Sequence, residues 1–211
     1  LEEEQNMPEV KIHWNTELQE LKRVLRYFSE MDFYKKNNYH LSLPENVGAD
    51  SSEEDITEEV SIEYHPEKFE SKLLEITSDW KRIETDFFQN AQKVLQINAL
   101  QEYECLITQY GTGGSYNPPN QIIMNIRSKL FGFYAIAHEL IHLLVNDLIE
   151  QNNVDHWHKE RLVDHYFSKI LHVDRYQNIP DFIDTKTVDV AFETFSLQGA
   201  RRVILELQKE K

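Results

Sequence analysis

Two histidines and a glutamate interrupt an otherwise apolar segment, AIAHELIHLLV, which runs from Ala135 to Val145. His138 and His142 are four residues apart, so a helix places them on one face, one turn from each other. The rest of that face is mostly apolar, and buried imidazoles need polar partners. One metal ion held by both rings supplies that partner. The segment is therefore predicted to be a core helix that carries a metal site.

Glu139 directly follows the first histidine, where its carboxylate can reach a water molecule on the metal instead of the metal itself. Zinc lowers the pKa of such a water to about 7, so a carboxylate can take its proton while the water attacks a carbonyl carbon. The pattern H-E-x-x-H thus predicts one Zn²⁺ per chain as the cofactor and Glu139 as the general base.

A catalytic zinc needs a third protein ligand and an open position. Glu160 and Asp164 are four residues apart in HKERLVDHYF, on a second predicted helix whose stripe continues with apolar residues. Two unpaired carboxylates on such a stripe would be costly to bury. Metal binding by Glu160, and a hydrogen bond accepted by Asp164 from the second ring nitrogen of a ligand histidine, remove both costs.

The combination of H-E-x-x-H on one helix and E-x-x-x-D on the next resembles the signature of the gluzincin zinc metallopeptidases, the thermolysin-like clan. The resemblance covers about a third of the chain, from Tyr103 to Leu171. It implies a minimal zincin-like domain that hydrolyses peptide bonds of a peptide or protein substrate. The compact chain also resembles the ImmA/IrrE-like intracellular metallopeptidases, which cleave regulators. The implied roles are metal ligand for His138, His142 and Glu160, general base for Glu139, and orientation of a ligand histidine for Asp164.

The resemblance also implies that a strand shortly before the zinc helix binds extended substrate by edge pairing. The segment expected to form this edge strand consists of Gln121, Ile122, Ile123, Met124, Asn125 and Ile126. The donor that stabilises the tetrahedral intermediate is expected from a tyrosine or histidine near the second helix. The candidates are His156, His158, Tyr166 and Tyr116; the two histidines also stay open as alternative metal ligands.

Two other functions remain open. One is a non-catalytic zinc-binding or interaction protein, although structural zinc sites usually close with four protein ligands, commonly cysteines, and this chain has one cysteine. The other is a deformylase-type amide hydrolase with Cys105 as a ligand. Cys105 lies upstream of the H-E-x-x-H motif in YECLITQ, but the glycine expected before that cysteine is absent.

The remaining pattern predicts an α+β fold with a small mixed or antiparallel sheet packed on the His138 helix. Strands are expected at Glu104–Tyr110 and Gln121–Ile126, joined by a wide hairpin loop, GTGGSYNPPN. Pro66 is expected to open a long amphipathic helix. Additional helices are expected towards the C-terminus.

The first sixty residues are expected to form an N-terminal helical segment and an acidic loop, followed by the peptidase domain at 61–211. A helix is predicted after the capping residue Thr16. An exposed loop is predicted at Leu43–Val60, and a short strand is predicted in EVSIEYH.

Composition restricts the partners and the compartment. A net charge of -15 argues against a nucleic-acid surface, and no apolar run approaches a membrane span. A single cysteine is typical of a reducing compartment, so a cytoplasmic location is expected. The first residue is Leu1 and not methionine, which is compatible with removal of a preceding segment.

Overall fold

The protein contains a four-stranded mixed sheet against which several of its helices pack. The computed structural model describes residues 7–174, 179–180 and 183–208. The strands are β1 (Glu9–Trp14), β2 (Glu102–Thr108), β3 (Gly114–Asn117) and β4 (Gln121–Asn125). Their order across the sheet is β1-β2-β4-β3; β2 is parallel to both β1 and β4, whereas β3 is antiparallel to β4. The α+β class and the mixed sheet are thus confirmed.

Helices make up most of the remaining described chain. None of them combines the length and apolarity that a bilayer crossing needs. The helices are α1 (Glu17–Ser29), α2 (Met31–Lys36), α3 (Glu53–Glu63), α4 (Glu70–Leu95), α5 (Phe133–Gln151), α6 (His156–Leu171), α7 (Lys186–Phe195) and α8 (Ala200–Leu207).

The main core lies between the sheet and helices α4, α5 and α6. Buried strand residues such as Ile107, Ile122 and Met124 pack into it because β2 and β4 are interior strands. Trp80 and Phe87 of α4 are fully buried in the same core. Each side chain of this size contributes about 1.5–3 kcal/mol on burial. This core fixes α5, and with it both histidines, against the sheet.

The prediction that Gln121–Ile126 forms an edge strand is wrong. β4 pairs with β2 on one side and with β3 on the other, so its hydrogen-bonding groups are used within the sheet. The edge strand on this side is β3, which lies inside the segment predicted as a hairpin loop. Its sequence, GSYN, has no apolar alternation, so only its pairing with β4 makes it a strand.

In the N-terminal segment one predicted helix is present, and two predictions differ from the structure. Thr16 caps α1 through a capping box with Gln19. The strand predicted in EVSIEYH is wrong, and the loop prediction fails from Glu53 onwards, because α3 occupies Glu53–Glu63. A second capping box, between Ser52 and Asp55, stabilises the start of α3.

The first strand of the sheet was not predicted. β1 lies before α1 and pairs in parallel with β2 over its whole length. The division of the chain at residue 60 stays a prediction. Pro66 opens a short 3-10 turn, Pro66–Phe69, and α4 follows from Glu70.

Candidate metal centre

Three donor atoms from two helices converge at one point. The Nε2 atoms of His138 and His142 are 3.0 Å apart, and Oε2 of Glu160 lies 3.6 Å from the first and 3.2 Å from the second. A tetrahedral zinc with bonds of about 2.0–2.1 Å holds its ligand atoms about 3.3–3.4 Å apart. The observed separations bracket that value, so the three residues can hold one such ion.

Helices α5 and α6 place these residues next to one another through helix periodicity and direct packing. His138 and His142 lie one turn apart on α5, whose neighbouring residues Ile136, Leu140 and Ile141 are fully buried. Asp155 caps α6 by accepting a hydrogen bond from the backbone N–H of His158 at 3.2 Å. Glu160 follows in the second turn of α6, and α6 packs directly against α5.

The charge states of His142 and Glu160 suit metal binding, whereas the surroundings of His138 favour its protonated form. Burial lowers the pKa of His142 to about 4, so this imidazole is neutral near pH 7. Burial favours the neutral form of Glu160, but His142, His138 and Lys159 hold the pKa of its carboxyl well below the ordinary value. Burial also acts to lower the pKa of His138, yet Glu160 and Glu139 outweigh it and the pKa is raised. A carboxylate and a neutral imidazole are the forms that coordinate metal.

Glu139 lies beside the cluster and faces the same cavity as the ligands. Desolvation by the surrounding protein raises the pKa of its carboxyl to about 7. Gly114 of β3 is its close neighbour: a Cβ atom at that position would lie only 2.5 Å from Oε1 of Glu139. Glycine at position 114 therefore makes room for this carboxylate. The raised pKa of the carboxyl lies in a range suited to proton transfer near neutral pH.

The surroundings of the two imidazoles differ. Asp164 is buried at the cavity wall, and its charge raises the pKa of His138. Nδ1 of His142 is buried without a hydrogen-bond partner among the described residues. Its ring stacks instead on Tyr116, with centroids 4.9 Å apart and an interplanar angle of 7°. The Tyr116 ring on one face and the polar contacts of Nε2 with His138 and Glu160 thus orient His142 together.

A cavity of about 1200 Å³ opens over the cluster. Its floor is formed by α5 and α6, and one wall is formed by β3 and the glycine-rich turn before it. The N-terminal segment also lines the cavity, through aromatic residues that were not predicted to be near the site. These residues are Tyr27, Phe33, Tyr34 and Tyr39.

The four candidate donors for the tetrahedral intermediate separate into two pairs. Tyr116 and His156 line the cavity, and His156 places Nδ1 3.8 Å from Oε1 of Glu160. His158 is not among the lining residues; it pairs with Asp155 at 2.5 Å and contacts the backbone oxygen of Asp184 at 2.9 Å.

Tyr166 is also separated from the cavity. It is fully buried, and its ring packs edge-on against Phe192 of α7. Burial raises the pKa of its hydroxyl, which has no hydrogen-bond partner in the described chain. Tyr166 and His158 are thus not placed to contact a molecule bound in the cavity.

Lys159 and Tyr39 are two of the polar residues at the site that were not predicted from the sequence. The Lys159 ammonium lies 3.4 Å from Oε1 of Glu160 and 3.3 Å from the Tyr116 hydroxyl. The Tyr39 hydroxyl lies 2.8 Å from Nε2 of His156. Lys159 adjoins a predicted ligand and could have been noted for that reason. No local pattern signals Tyr39, since 117 residues separate it from His156.

Cys105 does not join the ligand group. It is fully buried in β2 and does not line the cavity, and burial raises the pKa of its thiol. Among the described residues, the group that could hold a metal ion consists of His138, His142 and Glu160. A deformylase-type site, which needs a cysteine ligand, has no support in this arrangement.

Comparison of the chain with models of known protein families, with curated proteins and with solved structures gave no match.

Proposed function

We propose that this protein is a zinc-dependent metallopeptidase of a minimal, gluzincin-like kind. The observation that supports this most strongly is the convergence of His138, His142 and Glu160 at the floor of an open cavity, with Glu139 beside them. Three protein donors leave one position of a tetrahedral ion free, as catalytic zinc sites do and closed structural sites do not.

Zinc, when bound, would lower the pKa of a water molecule to about 7 and polarise the substrate carbonyl. The protein contributes the base. Glu139 would accept the proton of the attacking water and pass it to the leaving amine from its position beside the ligands. The Cβ-free position at Gly114 leaves room for this carboxylate.

Three side chains at the cavity can stabilise charge on the tetrahedral intermediate. Tyr116 lies directly over His142, and Tyr39 and His156 form a hydrogen-bonded pair above Glu160. Hydroxyl and imidazole donors fixed by such contacts stabilise an oxyanion without reorganising during the reaction.

The outer edge of β3, which pairs with no further strand of the described chain, can orient an extended peptide across the site. One group on this edge, the Gly114 oxygen, already accepts a hydrogen bond from the Thr112 hydroxyl at 2.8 Å. The backbone N–H of Asn125 donates to the oxygen of Gly113 at 3.0 Å. This bond shows which residues of β3 direct their backbone groups towards β4, because these residues alternate along an antiparallel strand. This alternation directs the backbone groups of Gly114 and Tyr116 away from β4. A substrate strand that pairs with them would pass beside Glu139 and His142.

The test replaces Glu139 by Gln and, as a matched control, the exposed Glu150 of the same helix by Gln. Zinc content and cleavage of a synthetic peptide library are measured for both variants and for the wild type. Glu139→Gln should keep the zinc and lose hydrolysis, because an amide cannot accept the proton; Glu150→Gln should match the wild type.

Two results would contradict the proposal in different ways. A zinc-loaded wild type that cleaves no peptide would favour a non-catalytic zinc-binding protein. Full activity of Glu139→Gln would show that the base is another residue.

A further inference from the structure

We propose that Arg23 binds a carboxylate of the substrate next to the scissile bond and thereby selects acidic peptides. The inference rests on the proposed peptidase function and names the substrate class for the same site. Arg23 lies on α1 and lines the cavity from the N-terminal side.

The Arg23 guanidinium is held in one position. Its Nε donates to the backbone oxygen of Tyr110 at 3.2 Å, and its Nη2 donates to Oγ of Ser115 at 3.0 Å. The group also lies over the Tyr27 ring, 5.2 Å from the centroid. A half-buried arginine fixed by three contacts loses little further side-chain freedom when it binds a ligand.

No carboxylate of the described chain lies within ion-pair distance of Arg23. Three other cations at the cavity each pair with a nearby acid: Arg26 with Glu30, Arg127 with Glu63, and Lys159 with Glu160. Lys129 is the remaining lining cation, and it is exposed. Arg23 is thus the half-buried, oriented cation at the cavity that forms no close ion pair with a described residue; Glu20 and Glu139 interact with its charge from a greater distance.

The acids at the cavity are already assigned to other roles. They are Glu139, Glu160 and Asp164, at or beside the metal cluster. The remaining charged lining residues are basic or histidine, in a protein with a net charge of -15. Because Glu30 and Glu63 pair with two of these cations and Glu160 pairs with a third, the positive charge open to a ligand lies at Arg23 and Lys129, where it favours a negatively charged group.

The strand β3 connects Arg23 to the reacting groups. Along β3, Gly114 faces Glu139, Ser115 contacts Arg23, and Tyr116 stacks on His142. Side chains of an extended substrate paired with β3 would alternate in the same way. A substrate residue within about two positions of the scissile bond would therefore direct its side chain, or its terminal carboxylate, towards Arg23.

Arginine matches the geometry of a carboxylate better than lysine does. Its planar fork donates parallel hydrogen bonds, and charge-assisted bonds of this kind are among the stronger ones in proteins. We expect an acidic group at this position to raise kcat/KM by about 10- to 100-fold over its neutral amide.

The experiment begins with the peptide that the wild type cleaves best in a synthetic library. Four versions of this peptide are made for each position within about two residues of the scissile bond. They combine Glu or Gln at that position with a C-terminal acid or a C-terminal amide. The kcat/KM values are compared for the wild type, Arg23→Gln and Arg23→Lys. Arg26→Gln is the matched control, since it removes one positive charge from the same helix and the same cavity.

The wild type and Arg26→Gln should prefer the version that carries the carboxylate. Arg23→Gln should lose this preference, so that its own kcat/KM values for the acidic and the neutral versions become equal. The ratio between versions within one variant is the readout, because Arg23 also holds Tyr110 and Ser115 by hydrogen bonds. Arg23→Lys should keep a reduced preference. If kcat/KM changes with the Glu or Gln side chain, the group that Arg23 binds is an acidic side chain. If kcat/KM changes with the C-terminal acid or amide, the group is the free C-terminal carboxylate.

Equal cleavage of all four versions by the wild type would overturn the inference while the peptidase function stood. An undiminished preference in Arg23→Gln would overturn it as well. A wild type that cleaves nothing in the library would remove the proposed function itself. Zinc content and Tm of each variant show whether the fold and the metal site are retained.

Discussion

Replacing Gly114 by Ala should disable the base without disturbing the metal. The new Cβ would lie 2.5 Å from Oε1 of Glu139 and 3.0 Å from its Cδ and Cγ. Ordinary van der Waals contact begins at about 3.4 Å, so the carboxylate must move by roughly 1 Å. A displacement of about 1 Å at a reacting group costs about 100-fold in rate, which corresponds to about 2.7 kcal/mol.

Gly113→Ala is the matched control for this change. Its Cβ would meet Oγ of Ser128 at 3.1 Å and would not approach Glu139. Neither glycine has a positive φ, so alanine is not excluded by the backbone at either position. The assay measures kcat/KM on a peptide that the wild type cleaves, together with zinc content and Tm.

Gly114→Ala should retain zinc and lose about 100-fold in kcat/KM. Gly113→Ala should stay within a few-fold of the wild type. If the two variants are equally active, the position of the Glu139 carboxylate does not control the reaction, and its assignment as general base is wrong.

Two further predictions concern β3 and Cys105. We expect substrate to pair with the outer backbone groups of Gly114 and Tyr116. N-methylation at alternate peptide positions should then weaken binding to the Glu139→Gln variant by about 10-fold or more, and methylation at the intervening positions should be tolerated. Equal tolerance of methylation at every position would contradict edge pairing. Cys105 should resist iodoacetamide at pH 8 in the native protein and react after unfolding, because burial raises the pKa of its thiol and shields it. Rapid native labelling would contradict its placement in the core.

The residues that converge at the metal cluster could be predicted because their positions follow from local helix geometry. Spacings of four residues within α5 and within α6 put each pair on one face, and the burial cost of charged groups indicated that the two faces meet. The structure brings His138, His142 and Glu160 within 4.8 Å of one another. Metal binding by this group stays a prediction.

The edge of the sheet could not be predicted in the same way. Gln121–Asn125 has the apolar pattern of a strand, but the pattern does not state which neighbours it pairs with. β3 contains one glycine, two small or amide residues and one tyrosine, and its strand conformation depends on pairing with β4. Long-range pairing outweighed local propensity there.

The N-terminal wall of the cavity was missed for a related reason. Arg23 and Tyr39 contact partners 92 and 117 residues further along the chain, and no spacing rule links such distant positions. In α1, the buried positions Glu20, Val24 and Tyr27 include a glutamate and a tyrosine, whereas Leu18 is 59% exposed. The distribution of apolar residues along α1 therefore does not indicate which face is buried.

The most direct test of the account is the zinc content of the wild type and of Glu160→Ala, with the exposed Glu150→Ala as the matched control. Native mass spectrometry counts zinc per chain, and titration against a chromogenic chelator gives the affinity. Loss of one ligand should weaken zinc binding by about 100-fold or more, because Glu160 supplies one of the three donors. We expect one zinc per chain for the wild type and Glu150→Ala, and loss of zinc to the chelator for Glu160→Ala. Less than about half a zinc per wild-type chain after metal-replete purification, or unchanged affinity in Glu160→Ala, would contradict it.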